Sequence, residues 1–149
     1  MNTFTRNAKG LGLACLLAAT LLVGGARAAD WGELGKHLDA ARENMMKMLD
    51  AKDASSRDAA YDEVKKATKE LDAALADMVK SAPEAAKSKL NDFKSTWEAF
   101  KNTRDSELVP AALSGDPEKV KQAKEKAGAI QKERFGKMKQ IIEEMAQKK

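Results

Sequence analysis

From Asp30 onward, apolar side chains return at alternating steps of three and four residues, the spacing that lays a single stripe along an α-helix. Trp31, Leu34, Leu38, Ala41, Met45 and Met48 form the first stripe, and Tyr61, Val64, Ala67, Leu71, Ala74, Leu75 and Met78 the second. Ala86, Leu90, Phe93, Trp97 and Phe100 form an aromatic-rich third, and Val120, Ala123, Ala127, Ile130, Phe135, Met138, Ile142 and Met145 a fourth. The pattern predicts helices over residues 30–52, 57–80, 83–113 and 117–147, within one domain spanning 29–149. Abundant alanine, lysine, glutamate and leucine, with sparse glycine and proline, favour helix throughout.

The interruptions are as informative as the stripes. Asp53-Ala54-Ser55-Ser56 offers a serine or Asp53 as the cap of the second helix. Ser81-Ala82-Pro83-Glu84 reads as a stop and a start, with Pro83 in the first turn of the third helix and Ser81 or Ala82 at its cap. Pro110 lacks a backbone donor, which predicts a kink in a third helix that continues to Leu113. Ser114-Gly115-Asp116-Pro117 supplies a helix-ending glycine, a capping aspartate and a proline at the first helical position. Long helices joined by such short turns must pack antiparallel. The expected fold is therefore all-α, an up-down-up-down antiparallel four-helix bundle.

The first 28 residues stand apart from this pattern. Arg6 and Lys9 make a positive start, Leu11 to Val23 is nearly all apolar, and Ala26-Arg27-Ala28 presents small residues where a signal peptidase reads. Residues 1–28 are thus expected to be a cleaved secretory signal, with the mature protein beginning at Ala29 in the periplasm. The apolar run is shorter than the ~20 residues of a spanning helix. Cys15 lacks the leucine three residues before it that lipoprotein signals usually carry, and so does not mark a lipidated N-terminus.

Removing this segment changes the electrostatics. It holds three of the 27 basic residues and none of the 23 acidic ones, so 24 positive charges face 23 negative in the remainder. A net charge of +1 does not suit nucleic acid, which needs a gathered basic excess. Cys15 is the only cysteine, so the mature chain can form no disulfide and has no thiol nucleophile or thiolate ligand.

His37 is the only histidine, with no G-x-S-x-G or cysteine to serve, and the chain is read as non-enzymatic with no catalytic residues. In an antiparallel bundle His37 shares an end with Met78, Met138 and Met145, so a histidine–methionine pair could ligate non-covalent haem or copper. The b-type four-helix cytochromes, which this chain resembles in size and helix count, use such a pair but place the histidine on the last helix. The other reading is a half-buried histidine beside core methionines. Met45, Met46 and Met48 spread over more than one helix face and read as packing rather than a metal cluster.

Arg104 is the odd residue of the third stripe, where the steps through Trp97 and Phe100 land on a guanidinium. Facing the core, it must meet a carboxylate of the bundle, reach the surface along its stem, or receive an anionic ligand. Arg57, at the first turn, is expected toward the same end. Arg104, Arg57, Trp97 and Phe100 together form a candidate carboxylate-binding site between helices.

The stretch W-E-A-F-K-N-T-R-D from Trp97, followed by E-L-V-P-A-A-L-S-G-D-P-E-K-V, resembles the third helix, turn and fourth helix of the periplasmic four-helix-bundle sensor domains of bacterial chemoreceptors. The resemblance implies a small molecule bound between helices near the membrane-distal end, commonly at a homodimer interface and often through arginines. The chain ends at Gln147-Lys148-Lys149 without a second membrane span, so the resemblance implies a free-standing version of the sensor fold, either a ligand carrier or a partner of a membrane receptor. The first functional expectation is a soluble periplasmic binding or sensory module for a small anionic ligand. The alternatives are a haem or copper protein using His37 and a periplasmic chaperone or adaptor, although the L-T-x-x-Q type motif of some such chaperones is missing.

Overall fold

The computed structural model describes residues 30–147, and the expected signal peptide with Cys15 lies outside them. Five α-helices follow in order: α1 (Trp31–Asp50), α2 (Ala54–Ser81), α3 (Glu84–Thr103), α4 (Val109–Leu113) and α5 (Pro117–Ala146). A π-helical turn, Arg104–Leu108, fuses α3 and α4 into one rod, so the bundle has four rods. Each of α1 and the α3–α4 rod packs against both α2 and α5, and the chain runs up, down, up and down around the core. No strand occurs among the described residues.

Local chemistry sets the ends. Asp30 accepts the Glu33 amide at 3.0 Å and starts α1, and Asp53 accepts the Ser56 amide at 2.8 Å and starts α2. Pro83 occupies the cap position of α3 itself rather than its first turn, and no side chain caps that end. At the α4–α5 turn Gly115 takes φ +69°, the left-handed conformation that glycine enters without a Cβ penalty. The Arg57 guanidinium lies 3.2 Å from where a Cβ would stand there. Asp116 then accepts the amides of Glu118 (2.9 Å) and Lys119 (3.4 Å). Asp116→Ala is expected to cost about 1 kcal/mol in urea unfolding, and a loss below about 0.3 kcal/mol would mean water caps α5 equally well.

The expected kink at Pro110 takes the form of the π turn. The Val109 amide donates to the Arg104 carbonyl, five residues back instead of four. Pro110 has no N–H to give and its ring clashes with an α-helical carbonyl four residues earlier. One widened turn absorbs both problems and lets the rod continue to Leu113.

The first three seams bury as their spacing predicts, with Leu34, Leu38, Leu71, Phe93 and Trp97 fully inaccessible. The fourth differs. Ile130 is 38% exposed, while Gln131 is 4% exposed and Ile141 joins Met138 and Ile142 in the core. The seam of α5 steps Ala127, Gln131, Arg134, Met138 and Ile141, and its polar members hide it from an apolar count. Asp39–Lys139 (2.9 Å) and Asp50–Lys124 (2.6 Å) link α1 to α5, and Lys89–Glu144 (2.7 Å) links α3 to α5. Exposed pairs of this kind contribute at most ~1 kcal/mol each and mainly set register.

Candidate ligand-binding site

Trp97 and Phe100, three residues apart on α3, stack with centroids 5.5 Å apart. The Arg104 guanidinium sits 5.9 Å from the Trp97 ring centre and is 4% exposed. Its Nε and one terminal nitrogen grip both carboxylate oxygens of Asp105 at 2.7 and 3.2 Å. The other terminal nitrogen donates to Thr68 Oγ1 on α2 at 2.7 Å, and that hydroxyl donates to the Val64 carbonyl. Of the three fates open to Arg104, the structure shows pairing within the bundle. Its charge is met by its own neighbour, and it ties the π turn to α2.

Arg57 does not join this cluster. The third rod runs nine residues beyond Arg104, so the turn beside Arg57 lies about 14 Å further along the axis. Arg57 instead lines a cavity of about 330 Å³ between the two turns, with Met48, Lys52, Gly115 and Val120. Trp97 is engaged from the other side: its Nε1 donates to Asp72 at 2.7 Å, which also holds Lys101 at 2.9 Å. Burial works against the charge on Lys101, but hydrogen bonds to Asp72 and Glu98 outweigh it and raise its pKa.

Gln131 and Arg134 of α5 are buried or half-buried polar residues that periodicity missed. Gln131 Nε2 donates to the Phe100 carbonyl at 3.0 Å, and Arg134 Nη1 donates to the Ala99 carbonyl, Thr103 Oγ1 and Gln131 Oε1. They fasten α5 to the end of α3, just before the π turn. The legible signal was their position, four and seven residues after the buried Ala127.

His37 turns toward α2, its Nδ1 3.7 Å from Glu70 Oε2. Asn44 Nδ2 of α1 also donates to the Glu63 carbonyl of α2 at 3.5 Å. Met78 lies eight residues past Glu70 on α2, about 12 Å along the axis. Met138 is on α5, which faces the opposite flank of α1, where Asp39 meets Lys139. The polar partner recorded for His37 is Glu70, and the expected pairing of His37 with Met78, Met138 or Met145 has no recorded contact among the described residues. No cluster of three or more His, Cys, Asp or Glu with metal-holding geometry occurs among the described residues. The larger exposed apolar residues, Met46, Val79, Leu113 and Ile130, sit one on each of four helices, and such single exposures are ordinary.

A different site emerges between α1 and α5. A cleft of about 270 Å³ opens there with an apolar floor of Met45, Leu49, Phe100 and Leu108, the last from the π turn. Arg42, Lys124 and Lys132 stand around it, with no Asp or Glu in its lining. Lys124 is held by Asp50, Arg42 lies 4.6 Å over the Phe135 ring, and neither Arg42 nor Lys132 has an ion-pair partner among the described residues. Gly128 lies at the edge of the cleft, where a built Cβ would meet nothing within 4 Å. The larger groove between α1 and α2 has the opposite character, with Glu43, Asp50 and Glu63 against a single Lys47. Of the four residues expected to form a site, only Phe100 reaches the α1–α5 cleft.

Residues 27–149 match the family described as a four helix bundle sensory module for signal transduction, and the chain belongs to that family. No curated protein and no solved structure shows a significant match to the chain. The resemblance of Trp97 to Val120 to chemoreceptor sensor domains thus extends over the whole bundle.

Proposed function

We propose that the chain is a periplasmic, non-enzymatic sensory module that binds a small organic anion in the cleft between α1 and α5 and presents its bound state to a membrane receptor. The observation that carries this reading is the composition of the cleft: Arg42 and Lys132, without an ion-pair partner among the described residues, stand over an apolar floor beside a Lys124 that Asp50 holds. Ligand pockets of this kind fix orientation with a few polar groups and take most of their affinity from apolar burial. The lining has no imidazole or carboxylate to serve as a general base, which supports binding without turnover. The signal-like pattern of residues 1–28 supports export, and membership of a signal-transduction family supports a receptor partner.

The position of the cleft suits signalling. A ligand there touches α1, α5 and, through Leu108, the π turn of the third rod, so occupancy bears on the relative placement of three rods.

A thermal-shift screen against small organic anions tests the reading. An anion at ten times its Kd is expected to stabilise the protein by about 1.4 kcal/mol. The Arg42→Gln, Lys132→Gln double variant is expected to fold normally and lose at least half of that response. An unchanged response in the double variant would remove the cleft as the binding site.

A further inference from the structure

Resting on the anion reading of this cleft, we propose that its ligand is an amphipathic monocarboxylate of roughly nine or ten heavy atoms in all, with one anionic head at the rim and its apolar body on the floor. The size follows from the volume, since 270 Å³ is the space of roughly nine water molecules at ~30 Å³ each. The polarity follows from what the floor can recognise.

Met45, Leu49, Phe100 and Leu108 present only apolar surface. Gln131 is the one polar side chain at depth, and each end of its amide is already engaged, the nitrogen by the Phe100 carbonyl and the oxygen by Arg134. A second polar group carried into the cleft would lose water without gaining a partner, a cost on the scale of a lost hydrogen bond or more. An α-ammonium fares worse, because the lining has no carboxylate to accept it, while Arg42 and Lys132 repel it. Amino acids and short dicarboxylates are therefore disfavoured. A single carboxylate is different. It can sit at the mouth between Arg42 and Lys132, while an unbranched or aromatic body replaces water against the methionine and leucine side chains, which adapt to irregular shapes.

Calorimetric titration of the protein with octanoate, octan-1-ol, octylammonium, succinate and aspartate tests the proposal. Octanoate is expected to bind, octan-1-ol and octylammonium to bind at least tenfold more weakly, and succinate and aspartate not to compete. Gly128→Leu, which places an apolar side chain in the open mouth of the cleft, is expected to abolish octanoate binding while the helical melting transition persists. Arg42→Gln with Lys132→Gln provides a second variant on exposed positions and is expected to bring octanoate down to the affinity of octan-1-ol. Octan-1-ol binding as tightly as octanoate would overturn the monocarboxylate assignment. So would succinate or aspartate binding in a manner lost in Gly128→Leu, but the anion reading would stand. Octanoate binding that survives Gly128→Leu would place the ligand elsewhere, and failure of every anion to bind would overturn both readings.

Discussion

Trp97→Ala is expected to destabilise the protein by about 3 to 5 kcal/mol, the range for truncating a large buried aromatic. The ring is fully buried and stacked on Phe100, and it separates the Arg104 guanidinium from the rest of the core. Its removal leaves a cavity that the surrounding long helices cannot easily collapse into. It also removes the Nε1 donor from Asp72, which keeps Lys101 as a partner. Trp97→Phe separates these contributions, because it retains most of the ring and loses the donor, and about 1 to 2 kcal/mol is expected. Against a total stability of about 5 to 15 kcal/mol, the alanine variant loses a large fraction of its margin. Urea unfolding followed by circular dichroism measures both, and an alanine variant within 1.5 kcal/mol of the parent would show that the aromatic centre is not what holds the third rod.

Asp105→Ala carries the next largest expected cost, about 2 to 3 kcal/mol. Breaking a fully buried pair by removing one partner costs about 3 to 5 kcal/mol; Asp105 is 56% exposed, so water screens part of that. Arg104 would keep only Thr68 as a partner while remaining buried. Adding Arg104→Met to the same chain removes the stranded charge and is expected to recover most of the stability. An Asp105→Ala variant as stable as the parent would mean that the pairing in the π turn does not neutralise Arg104.

These two residues show where sequence reasoning reached and where it stopped. The fold class was legible because four apolar stripes and the Gly115-Asp116-Pro117 boundary are local signals, each set by helix geometry or by a single backbone conformation. Arg104 was legible as a misfit for the same reason, since a stripe that steps through Phe100 and lands on a guanidinium can be counted. Its partner was not. Adjacent residues on an α-helix do not face one another, so helical spacing gives no reason to pair Arg104 with Asp105, and that pair closes inside a π turn that Pro110 announced only as a kink.

The cleft was less legible still. Arg42, Gly128 and Lys132 are ordinary exposed residues in the sequence, and they become a rim only when α1 and α5 are set side by side over the π turn. Gln131 and Arg134 interrupt the apolar stripe of α5 because they bond to the Ala99 and Phe100 carbonyls, and that interruption shifted the expected seam onto Ile130. Arg57 and Arg104 fall in the same half of the bundle, but the nine residues of the third rod beyond Arg104 set them about 14 Å apart along the axis.

The methionine methyl groups report on each place a ligand could go. Met45 lines the α1–α5 cleft, Met46 lines both that cleft and the groove between α1 and α2, and Met48 lines the cavity beside Arg57, while Met78 and Met138 line none of the three. Methyl NMR of the protein labelled at methionine, titrated with octanoate and then with succinate, therefore locates the site in one measurement. A bound anion is expected to move the Met45 and Met46 signals in a saturable way and to leave Met78 and Met138 in place. Shifts centred on Met48 would move the site to the turns beside Arg57, and the absence of any saturable shift at Met45 and Met46 would contradict the proposal that the cleft between α1 and α5 is where this module senses its ligand.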